Sequence, residues 1–193
     1  MRWPVWLVAL GLVGLLGCAT APVPPVEVAR EAAGLSPAQA GFWANLHQLC
    51  GARLEGRELF SAAGRDRWAE RAMHLDFAHC DDREIRVPFR VDEDTSRTWL
   101  LQVEGARLRL RHQHLEADGT PEAHNLYGGY ADPEGSAWMQ HFPADAYTEE
   151  HLGDGLARVW TLSLSEDLRT LRYGLRYAGD LVFEAAFTVV PSR

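Results

Sequence analysis

The sequence predicts a mainly β protein, an antiparallel meander of about nine short strands closing into a barrel, with a capping helix in front and one further short helix. Three observations carry this reading. Apolar and polar residues alternate through most of the chain, most clearly in Ile85/Val87/Phe89/Val91, Leu171/Tyr173/Leu175/Tyr177 and Leu181/Phe183/Ala185/Phe187/Val189. That two-residue period belongs to strands with one buried face. Turn pairs such as Glu104-Gly105, Asp118-Gly119 and Gly179-Asp180 separate the runs, and the connections are too short for the crossover helices that parallel strands require. A meander of this length leaves two open edges, which closure into a barrel removes.

The first element is the helix. Ser36-Pro37-Ala38-Gln39 supplies a capping hydroxyl, a proline at the first helical position and a glutamine three residues on, which together form a capping box. Phe42, Trp43, Leu46 and Leu49 follow at helical spacing, and Gly51 is placed to stop the helix,. Strands are then expected at Arg53–Phe60, Arg71–His79, Glu84–Val91, Arg97–Glu104, Ala106–Leu115, Ser136–Phe142, Leu156–Leu164, Leu171–Ala178 and Leu181–Val190. The second helix, Asp145–Leu152, is capped by Asp145 and stopped by Gly153,. Residues Asp118 to Gly135 are expected to form a long glycine-rich loop,.

The chain has 193 residues and a formal net charge of −8. This length suits one domain with a real core, here residues 36–193. The negative charge excludes a nucleic-acid partner, because phosphate binding needs clustered positive charge. All 19 basic residues are arginine, so no lysine is present to cradle a phosphate, form a Schiff base or act as a general base.

Ahead of the domain, the apolar run Trp3 to Leu16 has the length of a secretory signal rather than of a membrane span,. It ends in Leu15-Leu16-Gly17-Cys18, which resembles the lipobox of bacterial lipoproteins. The resemblance implies a signal peptide over residues 1–17, acylation of Cys18 and anchorage in a membrane. Ala19 after the cysteine implies the outer membrane, with the protein facing the periplasm. Residues 18–35, with Pro22, Pro24 and Pro25, read as a tether that holds the domain off the bilayer,. With Cys18 acylated, Cys50 and Cys80 remain, and in an oxidising compartment an isolated pair is expected to form a disulfide.

Two further resemblances concern the folded part. The capped helix running into Leu46-His47-Gln48-Leu49-Cys50-Gly51, then Glu55-Gly56, is similar to the entry of lipocalin-like (calycin) barrels, which implies a calycin-like barrel with a helix over one end. The Gly-x-Trp usual on the family's first strand is replaced by Gly51-Ala52-Arg53. No histidine follows His151 to serve as the haem ligand of the nitrobindin branch. Asp94 to Trp99, His112-Gln113-His114, Tyr127-Gly128-Gly129 and Phe142 to Asp145 are similar to an uncharacterised family of bacterial secreted proteins, which brings no activity with it.

Chemistry concentrates around Arg107–Leu115, RLRLRHQHL. One face is Arg107, Arg109, Arg111 and Gln113, expected to be a solvated outer face. The other passes from Leu108 and Leu110 to His112 and His114, as if the strand were leaving the core for a polar, ligand-accessible mouth. The candidate ligand-binding residues are therefore His112, His114, His124, Tyr127 and Tyr130. Two histidines at i and i+2 also point to one side, so a divalent metal held by His112, His114 and His141 is an alternative. No cofactor is otherwise predicted. The sequence lacks GxSxG, HExxH, CxxC and any glycine-rich phosphate loop,, so nothing in it assigns an enzyme.

The leading expectation is a lipid-anchored envelope module binding a small apolar or amphipathic ligand at a barrel mouth. A His-based metal protein or hydrolase, and a structural lipoprotein whose barrel is filled with side chains, are the alternatives.

Overall fold

The structure is a computed structural model and describes residues 34–64 and 68–191. The signal peptide, the lipobox with Cys18, and the tether up to residue 33 lie outside the described residues.

Helix α1 (Pro37–His47) starts as the capping box requires: the Ser36 side chain accepts a hydrogen bond from the Gln39 backbone N–H at 3.3 Å. The Gln39 side chain does not return to Ser36. It donates to the Ala131 carbonyl at 3.3 Å, tying the helix to the barrel. Phe42, Trp43 and Leu46 are fully buried and join the common core. The neighbours of this segment, Ala106 beside Gly34 and Ala137 beside Gly41 and Asn45, mark the end of the barrel at the turn after residue 104.

The strands are β1 (Arg53–Ser61), β2 (Met73–Asp76), β3 (His79–Cys80), β4 (Glu84–Val91), β5 (Asp94–Glu104), β6 (Arg107–His114), β7 (Tyr127–Tyr130), β8 (Met139–Pro143), β9 (Arg158–Leu164), β10 (Thr170–Tyr177) and β11 (Asp180–Val189). All pair antiparallel in the order β7-β6-β5-β4-β2-β1-β11-β10-β9-β8, with β3 also on β4. This is the expected meander, nearly closed into a calycin-like barrel.

Two departures have physical causes. The run Arg71–His79 is two strands: β2 pairs with residues 89–91 of β4 and β3 with residues 85–86. Between them Phe77 turns its ring into the core and its N–H to the Ala52 carbonyl. The loop expected over Asp118–Gly135 contains β7, which its two glycines hide from any pattern of side chains. Gly128 and Gly129 are needed because β7 is pressed between neighbours. A Cβ on Gly128 would lie 2.0 Å from the Leu110 carbonyl oxygen, and one on Gly129 only 1.8 Å from that of Pro143. Backbone N–H donation from Asp132 to His141 (2.9 Å) and from Asp145 to Gly128 (3.1 Å) then draws β7 to β8.

Helix α2 (Ala146–Leu152) has the predicted caps, Asp145 accepting from the Thr148 N–H and Gly153 in the left-handed region at φ 62°. It lies against β7, where the Thr148 hydroxyl accepts from the Gly128 N–H at 2.8 Å and donates to the Gly128 carbonyl at 2.7 Å. This helix changes the outer face of β6. Arg111, expected in solvent, is 8 % exposed and donates to Asp145 at 3.0 Å and to Thr148. Arg107 and Arg109 remain outside, stacked on Tyr130 and paired with Glu104, respectively.

Cys50 and Cys80 form a disulfide with Cα atoms 6.1 Å apart, tying the chain just after α1 to β3 across 30 positions. Closing a loop of that size stabilises the fold by about 3 kcal/mol.

Candidate functional site

The inward column of β5 and β6 defines the interior from floor to mouth. Directly opposed pairs run Val103/Leu108, Leu101/Leu110, Trp99/His112 and Arg97/His114. β9 and β10 repeat the sequence, from Leu164/Leu171 and Leu162/Tyr173 to Trp160/Leu175 and Arg158/Tyr177. Aliphatic packing thus gives way to aromatic walls and then to charge.

Beyond the packed floor is a cavity of about 680 Å³, within the range of small-molecule sites. Its walls include Trp99, His112, Tyr127, Trp160, Tyr173 and Phe183. Trp99 and Tyr173 stack with centroids 4.8 Å apart and planes at 18°, and His112 stacks on Tyr127 at 4.8 Å and 14°.

The two histidines are held by opposite kinds of neighbour. His112 Nδ1 lies 3.3 Å from the Tyr127 carbonyl, which can only accept, so the proton sits on Nδ1. Nε2 then accepts from the Tyr173 hydroxyl at 3.1 Å. Burial drives the His112 pKa down to about 3, against a raising contribution from the Tyr127 carbonyl, so the ring is neutral at pH 7. His114 sits nearer the mouth. Its Nε2 is 2.9 Å from the Tyr127 hydroxyl, its Nδ1 is 3.6 Å from Glu122, and its backbone N–H donates to the Asn125 side chain at 2.8 Å. Burial and Arg97 lower its pKa, with Glu122 opposing them. Tyr127 is pushed up to about 12, chiefly by burial, and remains a neutral hydrogen-bonding phenol.

Among the expected site residues, His112, His114, His124 and Tyr127 reach the cavity wall. Tyr130 does not. Strand alternation puts it outside with Arg109, its register partner, and its hydroxyl donates to Glu104. His141 is likewise outside. It opposes Thr161, whose side chain it meets at 2.9 Å, while the neighbouring inward pair is Phe142/Trp160. A shared ion for His112, His114 and His141 is thereby ruled out by the wall of the barrel. Both nitrogens of His112 are already engaged, and among the described residues no group of three or more His, Cys, Asp or Glu is placed to hold a metal ion.

Sequence reasoning missed Arg97, Glu122, Arg158 and Tyr177, all of which line the cavity. The signal was present for the arginines: Arg97 is in phase with Trp99, Leu101 and Val103, and Arg158 with Trp160, Leu162 and Leu164. An arginine on the inward face at a strand end marks the rim.

No family model, curated protein or solved structure matches the chain. The geometry of the cavity therefore carries the functional argument.

Proposed function

We propose that the protein is a lipid-anchored bacterial envelope module whose barrel holds one small apolar or amphipathic ligand at its mouth. The observation that carries the binding reading is the cavity of about 680 Å³ behind Trp99, Tyr127, Trp160 and Tyr173. Aromatic faces contribute large apolar contact at low conformational cost, while the His112–Tyr173 and His114–Tyr127 pairs supply a few fixed polar atoms. This combination of apolar walls and sparse, oriented polar groups is that of a ligand site. The anchor rests on Leu15-Leu16-Gly17-Cys18 and the Pro-rich stretch after it.

Two mass measurements test the two parts. The intact mass of protein purified from bacterial membranes is expected to begin at an acylated Cys18; the mass of the full unprocessed chain would remove the anchor. Native mass spectrometry of protein secreted with a cleavable signal in place of residues 1–18 is expected to show a retained small molecule or uptake of an added apolar probe. A protein that retains nothing and takes up no probe would leave the cavity without a binding role.

A further inference from the structure

The mouth of the cavity has a charge pattern that the aromatic walls do not explain. Arg97 enters from β5, opposite His114, and Arg158 from β9, opposite Tyr177, and both line the cavity. Tyr177 and Glu122 line the same cavity. Two guanidiniums from separate strands thus converge on the inner edge of the mouth.

Each arginine is paired with an aspartate outside the cavity. Arg97 is paired with Asp94 and lies over the Trp68 ring, 5.5 Å from its centroid. Arg158 donates to Asp154 at 2.7 Å and to the Leu156 carbonyl at 3.3 Å, and lies 5.0 Å from the centroid of Tyr177. Neither aspartate lines the cavity. Arg97 gives one N–H to Asp94, and Arg158 gives three to Asp154 and Leu156 with a further bond to Tyr177. Of the five N–H donors on each guanidinium, most of those left for an oxyanion are therefore on Arg97. The carboxylate that does reach the lining, Glu122, faces His114 Nδ1.

The hydrogen-bond directions deeper in the cavity agree. With a proton on His112 Nδ1, the Tyr173 hydroxyl must spend its hydrogen on His112 Nε2. With His114 Nδ1 turned to Glu122, the Tyr127 hydroxyl spends its hydrogen on His114 Nε2. Neither phenol hydrogen is therefore directed at a guest, and the positively charged donors in the lining are the two arginines.

We infer that the ligand is an amphipathic acid, with its apolar body, preferably flat, among Trp99, Tyr127, Trp160 and Tyr173 and a single carboxylate or similar oxyanion at Arg97 and Arg158. This rests on the binding reading above and narrows it to one class of ligand. A cationic head would find at the two arginines only N–H groups, which donate and cannot accept. A wholly neutral molecule would leave the remaining guanidinium donors without a partner as it displaced their water.

Two fluorescent probes with the same anilinonaphthalene body, 8-anilinonaphthalene-1-sulfonate and uncharged N-phenyl-1-naphthylamine, isolate the anionic group. The wild-type protein is expected to bind the sulfonate at least tenfold more tightly, with the difference shrinking as salt is raised. Arg97→Gln and Arg158→Gln are each expected to weaken the sulfonate about tenfold and to leave the neutral probe within about twofold, as expected for loss of one charged hydrogen-bonding partner. Excess oleate is expected to displace both probes. Neutral probe binding as well as or better than the sulfonate would overturn the acid inference and leave the binding site standing. Failure of both probes to bind would overturn the binding reading itself. The wild-type comparison decides the matter even where an arginine variant does not fold.

Discussion

His112 Nε2 and the Tyr173 hydroxyl meet at 3.1 Å across the barrel interior, joining β6 to β10, strands that are not neighbours in the sheet. With the Tyr173 hydroxyl as donor, the bond requires an unprotonated Nε2 and hence a neutral His112 ring, whose proton is on Nδ1,. It sits where the aliphatic floor ends and the cavity begins, so it both braces the barrel and shapes the site.

A pH dependence follows from the His112 pKa of about 3, well below its ordinary value of 6.5. The unfolded chain takes up a proton first as pH falls, so stability is full above about pH 6.5 and declines toward pH 3. One such group predicts a loss of about 2 kcal/mol between pH 8 and pH 5. His112→Phe is expected to flatten that part of the profile in urea titrations. Nitrogen NMR is expected to show an Nδ1-protonated ring that does not titrate between pH 5 and 8; a ring titrating near 6.5 would contradict the assignment.

The Arg111–Asp145 pair fastens α2 to the outer wall. Burial raises the Asp145 pKa, but hydrogen bonds from Arg111 and Thr148 outweigh it and hold the carboxyl below its ordinary 3.8. Its stabilisation is present above that value and lost as pH falls through the folded-state pKa. Asp145→Asn leaves Arg111 buried without a counter-charge and is expected to cost about 3 kcal/mol. Replacing both, as Arg111→Met with Asp145→Ser, keeps a helix cap and is expected to recover most of the loss. Chemical denaturation of the single and double variants checks both statements.

Barrel closure at β7 predicts a sharp contrast between glycines. Gly129→Ala would force backbone apart at Pro143 and is expected to cost more than about 3 kcal/mol or to prevent folding. Gly174→Ala is the control, since its added Cβ would meet nothing closer than 4.0 Å; the expected change is within about 1 kcal/mol. Equal melting temperatures for the two variants would mean that β7 does not close against β8.

Reduction of the Cys50–Cys80 bond is expected to lower stability by about 3 kcal/mol while the sheet persists. Thermal unfolding with and without a thiol reductant measures this. Thiol titration of the unreduced, denatured, secreted protein is expected to find neither cysteine free.

Much of the fold was legible because alternation and turn chemistry act locally. The strand Glu84–Val91 and the caps of α2 follow from residues within one or two turns of chain,. β7 was not legible, because Tyr-Gly-Gly-Tyr has no apolar alternation and its glycines answer to Leu110 and Pro143, distant in sequence. Tyr130 and His141 read as site residues by type and neighbourhood, yet a one-residue step along a strand puts a side chain on the opposite face.

By itself the sequence determined the mainly β class, the place where the inward face of Arg107–Leu115 turns from leucine to histidine, and the helix caps, since each depends on spacing along a few residues. It also carries the lipobox-like Leu15–Cys18. Only the tertiary structure decided which residues share the cavity. Arg97 and Arg158 come from β5 and β9, separated in sequence by 61 positions, and line one cavity with Tyr127 because the sheet curls until its last strands meet. The same curling buried Arg111 beneath α2 and set His141 outside. A pattern in one strand fixes which way a side chain faces relative to its neighbours; closure fixes what it faces.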